Sequence, residues 1–247
     1  MIIKMNSILK KYQGFFLKKA DKYKEIKQQR GMTLLEIIIV LGIIGTIAAG
    51  VVILAQRAFD SRAISDLVSN TNTVRIAVKD AYQRESDYPA AQAAVLNYTA
   101  DDIKDAAASS AIIARLVQLG KISVDEARNG ISNDYLNVGG AITSTGAQTS
   151  KGFFIEINGL NQSQCRNIVS QVGNNWDYVA TVTSPAGSYT ATNANFDLTT
   201  AAVATPTTAQ AVLRSLDTAT GSQTITADMT AAVCSDDSSN GVILGSR

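Results

Sequence analysis

The sequence predicts an α/β chain of the α+β kind: a long N-terminal helical spine, then loops with short helices, then strands tied by a C-terminal disulfide. Three observations predict it. Residues 37–55 form an apolar run without a charge. From there to about residue 82, apolar residues recur at steps of three and four. The second half turns to short apolar segments bounded by glycines and polar turns, with two distant cysteines, Cys165 and Cys234.

The spine reads as one helix from about Thr33 to Gln83. Its first half, Ile37 to Ala55, is apolar all round. At 1.5 Å per residue, about twenty residues cross a hydrocarbon core of roughly 30 Å, and a soluble helix of that length would show a polar face. The stretch is therefore a membrane span. Charge orients it: residues 1–31 hold nine Lys or Arg against Asp21 and Glu25, whereas residues 32–247 hold thirteen bases and nineteen acids. A basic flank stays cytoplasmic, so the remainder is exported. A secretory signal would be shorter and followed by a small-residue cleavage site; here Gln56-Arg57-Ala58-Phe59 continues the helix. Glu36, at the edge of the span, is the anomaly. A carboxylate at a span centre costs about 3 kcal/mol and less near an end, and such residues are functional by default; solvation of Glu36 by headgroups is the other reading. Past the span the helix becomes amphipathic, with Ile64, Leu67, Val68, Val74, Val78, Ala81 and Tyr82 on one stripe and Arg57, Arg62, Asp66, Arg75 and Lys79 mostly off it. Asp87-Tyr88-Pro89 marks its end, since the residue before proline avoids helical geometry.

Residues 86–150 read as a loop region carrying helices. Thr99-Ala-Asp-Asp102 is a capping-box pattern for a helix running to Leu119, and Ser123-Val-Asp-Glu126 is a second for a short helix ending near Asn129-Gly130. In residues 151–247, strands are expected at Phe153–Ile157, Tyr178–Val182, Gln223–Ala227 and Val242–Leu244, and a helix at Gln162–Val172. Residues 184–221, rich in Ala, Thr, Ser and Asn, read as surface loops or a linker. Two distant cysteines in an exported chain most simply form one disulfide; two buried free thiols are the alternative.

The chain has no histidine, which removes Ser-His-Asp and Cys-His catalysis and every His-based metal site. Asp101-Asp102 and Asp236-Asp237 are acidic pairs, but the first opens a helix, where negative charge is favourable, and the second lies in a polar loop. No catalytic residue, metal site or cofactor is assigned. The acidic balance after residue 31 speaks against a nucleic-acid partner. Trp176 reads as a core residue, and Tyr82 and Tyr88 as anchors for the end of the spine. Asn97-Tyr-Thr99 and Asn161-Gln-Ser163 fit the glycosylation sequon only formally. Gly42, Gly45 and Gly50 would allow close helix approach in a membrane or local unwinding of the helix.

The segment Gly31-Met32-Thr33-Leu34-Leu35-Glu36, with a basic leader before it and an apolar run behind it, resembles the processing motif of type IV pilins. The long leader, the Met at the first mature position and a mature chain of 216 residues (247 − 31) resemble the type IVb group. Met32 to Ser61, Gln118 to Asn129 and Asn158 to Cys165 are similar to the group that includes the longus, colonisation-factor-antigen-III and toxin-coregulated pilins. The resemblance implies the pilin roll, with the spine packed on an antiparallel sheet and the Cys165–Cys234 disulfide. It implies a leader of residues 1–31 that is removed, a protruding half-helix of residues 32–56 and a globular domain of residues 57–247. It implies cleavage after Gly31 by a prepilin peptidase, N-methylation of Met32, and an assembly role for Glu36. The implied function is that of a major pilin: stored in the inner membrane with its globular domain periplasmic, then polymerised into an extracellular fimbria for adhesion, self-aggregation and colonisation. The implied partners are further copies of the chain, the membrane, an inner-membrane assembly machinery with its ATPase, an outer-membrane secretin and a minor pilin. A minor pilin or a type II secretion pseudopilin shares the same N-terminus and is the alternative; a membrane-anchored enzyme would need a site constellation that the sequence does not offer.

Overall fold

The computed structural model describes residues 32–107, 109–192 and 196–247. The chain divides after Gln56 into two compact units. Helix α1, Leu34–Tyr82, runs through the division as 49 continuous residues.

In the first unit every described apolar side chain is exposed but Ala55, which is half-buried; Met32 is 67% exposed and Leu54 66%. This half of α1 meets the length and apolarity that a membrane crossing needs, and none of its most apolar stretch is buried.

In the second unit the rest of α1 buries Ile64, Leu67, Thr71, Val74, Ala77, Val78 and Tyr82. The expected stripe is there, with Val68 and Ala81 packed at its margin. Thr71 joins it because its hydroxyl donates to the Val68 carbonyl at 2.8 Å, leaving only its methyl to bury. The helix ends at Tyr82, ahead of the proline that was expected to stop it. Tyr82, Tyr88 and Phe153 then stack in series, with ring centroids 5.9 and 5.4 Å apart, and fasten the helix end to the sheet.

The sheet has six strands: β1 (Asn137–Ile142), β2 (Gly152–Leu160), β3 (Tyr178–Thr183), β4 (Phe196–Asp197), β5 (Ala211–Arg214) and β6 (Asn240–Ser246). Their order is β4-β1-β2-β6-β3-β5. All pairs are antiparallel except β1 with β4, which run parallel over two residues at one edge. The sheet expected to be antiparallel is thus mixed at that edge. One face of β2 and β6 (Phe153, Ile155, Ile157, Val242, Leu244) joins the α1 stripe in a single core. On the other face Phe154, Tyr178, Ala180 and Ile243 pack under Ala191 and Leu198.

Helix α2 is Ile112–Gln118, α3 is Gln162–Val172 and α4 is Ala227–Ala232. The bounds of α3 are those expected, and Asn161 and Gln164 form its reciprocal capping box.

Four further expectations are corrected, and one strand is added. The Thr99 and Ser123 boxes both form, with Asp102 accepting from Thr99 N at 2.8 Å and Glu126 from Ser123 N at 2.7 Å. Neither opens the expected helix. Asp105 captures the Ala107 N–H and Ser109 the Ala111 N–H, so short polar side chains break the first path before α2. Asn129 takes the Ile131 N–H and the chain reverses to bridge Arg128 with Tyr135, which ends the second. Gln223–Ala227 is no strand: Ile225 is pinned through its N–H to Asn174, and Thr226 caps α4. Residues 184–221 are not merely surface loops, because they supply β4, β5 and the buried Tyr189, Ala191, Leu198 and Leu213. Strand β1 is not among the expected strands, and it carries a Gly139-Gly140 pair although glycine weakens a strand interior. A side chain at Gly140 would strike the Tyr88 carbonyl and one at Gly139 would strike Ala91. The pair lets residues 88–91 lie on the strand, with Gly140 N donating to Pro89 O at 2.7 Å.

Candidate functional site

At the N-terminal end of α1, Thr33 caps the helix. Its hydroxyl accepts from Glu36 N at 3.2 Å, and its carbonyl accepts from Ile37 N at 3.2 Å. Glu36 therefore sits in the first turn, where the helix dipole favours a carboxylate. Among the described residues its carboxylate is exposed and enters no ion pair. Met32 precedes the cap, and Gly31 lies outside the described residues. Nothing lies within 4 Å of where side chains would project from Gly42, Gly45 and Gly50, so the helix surface there is open. Among the described residues of this unit the helix is apolar, with Glu36 in its first turn as the one carboxylate. Its chemistry is that of packing and charge pairing.

The second unit carries two fastenings, one beyond the end of β2 and one in the middle of that strand. Cys165 on α3 and Cys234 after α4 form the disulfide, with Cα atoms 6.1 Å apart. The other fastening was missed in the sequence. Glu156, in β2, is fully buried. One carboxylate oxygen accepts from Ser184 Oγ at 3.0 Å, Thr190 N at 2.8 Å and Thr190 Oγ1 at 2.9 Å; the other accepts from Asn137 Nδ2 at 3.2 Å and Ala191 N at 2.9 Å. Five donors replace water around one buried charge and hold residues 184–191 against the sheet. The available signal was an acid inside an apolar strand, Phe-Phe-Ile-Glu-Ile. Nearby, Asp134 accepts from Asn158 Nδ2 and Gly187 N, each at 2.7 Å.

Trp176 is 1% exposed, in the core as expected, with the Arg75 guanidinium 4.6 Å from its ring centre. One member of each acidic pair is used locally. Hydrogen bonds from Thr99 hold the Asp102 carboxyl below its usual range, and those from Ser239 and Ser235 do the same for Asp237. Among the described residues no three His, Cys, Asp or Glu side chains gather as metal ligands would.

A spine helix, a curled sheet with the α1 stripe on one face, and a disulfide closing the C-terminal region define a type IV pilin fold. A crystal structure titled TcpA, a type IV pilin from Vibrio cholerae El Tor biotype, superposes with a TM-score of 0.59 at 21% identity, over 75% of this chain and 99% of that one. The family model for the toxin-coregulated pilus subunit TcpA matches residues 115–244, and the prokaryotic N-terminal methylation motif matches residues 26–52. The chain belongs to the toxin-coregulated pilus subunit TcpA family. Two curated relatives, each a toxin coregulated pilin, are similar to it: one from Vibrio cholerae at 40% identity over 152 residues, and one from Vibrio cholerae serotype O1 at 38% over 151. The chain spans 62% of the length of the first of these relatives and 61% of the second.

Proposed function

We propose that this chain is the major subunit of a type IVb pilus. It is stored in the inner membrane by residues 32–56, with its globular part periplasmic, and is polymerised into an extracellular fibre that serves adhesion and colonisation. The observation that carries the reading is the exposed apolar half of α1 with Glu36 at its tip. Lipid covers that surface before assembly, and the same half-helix of neighbouring copies covers it afterwards. Prepilin peptidase cuts after Gly31, and Met32 becomes the methylated N-terminus; the methylation-motif match supports this step. Cleavage creates a positive amine four residues from Glu36. In a fibre core of low dielectric an unpaired carboxylate is strongly unfavourable, so Glu36 pairs with the Met32 amine of a neighbour and sets the axial stagger. Ile and Val, which slide past one another at little cost, cannot do this. The remaining partners are an assembly ATPase, a secretin and a minor pilin.

The test has two arms. A bulky residue at Gly31 should leave full-length precursor in the inner membrane. Glu36→Val should be cut and inserted normally yet yield few or no sheared fibres. Wild-type fibre yield from Glu36→Val would refute the pairing role, and failure of its cleavage would move Glu36 to peptidase recognition.

A further inference from the structure

Lys79 is half-buried on α1, and among the described residues its ammonium has no ion-pair partner. Around it lie Arg75, one turn earlier, and Arg247. Burial first, and then the Arg75 charge, push its pKa down. Arg75 is held by Asn175 O at 2.8 Å and Ser246 Oγ at 3.1 Å, and among the described residues it too has no ion pair with a carboxylate. Among the described residues Asp177 serves the group: Arg247 Nε stands 4.0 Å from Asp177 Oδ1, and Ser246 Oγ lies 3.2 Å from Asp177 Oδ2. Arg75, Lys79 and Arg247 therefore gather around Asp177 where β6 ends. A partly desolvated cation outside any ion pair is costly; Asp177 offsets part of that cost for Lys79, and an anion from elsewhere would offset more.

The opposite end of β6 has the complementary sign. The strand starts at Asn240, whose side-chain amide donates to the carbonyls of Leu160, Ser235 and Asp237 and so fixes the loop before it. That loop exposes Asp236 and Asp237. Arg166, on neighbouring α3, donates instead to the Ala231 carbonyl at 2.7 Å. The seven residues of β6 span about 20 Å between the two poles. A basic pole and an acidic pole at opposite ends of one strand make a head-to-tail contact, and such heterologous contacts repeat into open filaments.

We propose that the Arg75, Lys79 and Arg247 cluster of one copy receives the Asp236–Asp237 loop of the next copy along the fibre. The proposal rests on the fibre reading above and adds a contact between globular parts to the one between half-helices. The pairing selects register and excludes slipped neighbours by like-charge repulsion.

The test is charge exchange in cells that assemble the fibre. Asp236 is chosen over Asp237 because Asp237 is bonded to Ser235 and Ser239. Lys79→Glu and Asp236→Lys alone should each lower sheared-fibre yield by about tenfold with the membrane pool of processed subunit unchanged, and the double variant should recover most of the loss. Carbodiimide treatment of wild-type fibres should join Lys79 to Asp236 or Asp237 between copies, read by mass spectrometry of the cross-linked peptide. That arm decides the matter if a variant lowers the membrane pool. Unchanged yield from Lys79→Glu, a double variant no better than the singles, or cross-links from Lys79 only to other sites would overturn the contact. A wild-type chain that makes no fibre would overturn the fibre reading and this contact with it.

Discussion

Glu156→Gln isolates the buried carboxylate of β2 with almost no change of shape. Glutamine offers one acceptor oxygen and one NH2. Hydroxyls of Ser184 and Thr190 can rotate to accept from that NH2, but the backbone N–H groups of Thr190 and Ala191 cannot. They face different carboxylate oxygens, so either orientation of the amide sets one N–H against a donor. An orphaned buried donor costs about 1–3 kcal/mol, and the surviving bonds lose charge assistance worth about 1 kcal/mol each. Burying a neutral amide instead of a charge returns part of this. The expected net loss is about 2–3 kcal/mol, a large share of a typical stability of 5–15 kcal/mol. Urea unfolding of the chain in detergent, followed by the fluorescence of Trp176, measures it. Hydrogen exchange locates it: the amides of Thr190 and Ala191 should lose protection while those of β6 keep theirs. A Glu156→Gln chain within about 0.5 kcal/mol of wild type, the usual range for surface changes, with both amides still protected, would refute the reasoning.

Cys165→Ser opens a loop with a sequence separation of 69 and should cost about 4 kcal/mol by loop entropy; thiol labelling of the denatured, unreduced wild-type chain should find no free cysteine. Stability should also fall at both extremes of pH. The Asp102, Asp217 and Asp237 carboxyls lie below their usual 3.8, and Glu126 below 4.5, through bonds from Thr and Ser. Their contribution is present above those values and is lost as pH falls through the lowered ones. Burial holds the Tyr178 and Tyr189 phenols above their usual 10.0, a contribution present below pH 10 and lost as pH rises further; Lys79, lowered from 10.5, works in the opposite sense there. Urea midpoints should be level from about pH 5 to 9 and drop on both sides, and a flat profile down to pH 2 would remove the carboxylate account.

The parts legible in the sequence are those built from near neighbours. An uncharged run as long as a bilayer is thick, a basic flank and a lone glutamate at the edge indicate the spine and its tip without any structure. The amphipathic stripe follows from helical period alone. The bounds of α3 agree with Asn161, Gln164 three residues on and the apolar spacing of Cys165, Ile168, Val169 and Val172 after them. The same local signals mislead at Thr99 and Ser123, where the caps form but a polar side chain a few residues later claims the next backbone donor. Tertiary structure alone decided what depends on distant segments. Glu156 is recognisable as a fastening only when Asn137, Ser184, Thr190 and Ala191 converge on it from separations of 19 to 35 residues. Strand β1 becomes a strand because residues 88–91 need the space its two glycines leave. Arg75 meets Ser246 across 171 residues, and the two charged poles lie at opposite ends of a strand that no window of sequence contains together with α1. Periodicity and capping are local energies, written in consecutive residues; burial, charge neutralisation and sheet register are energies of pairs, and the chain must fold before the pairs exist.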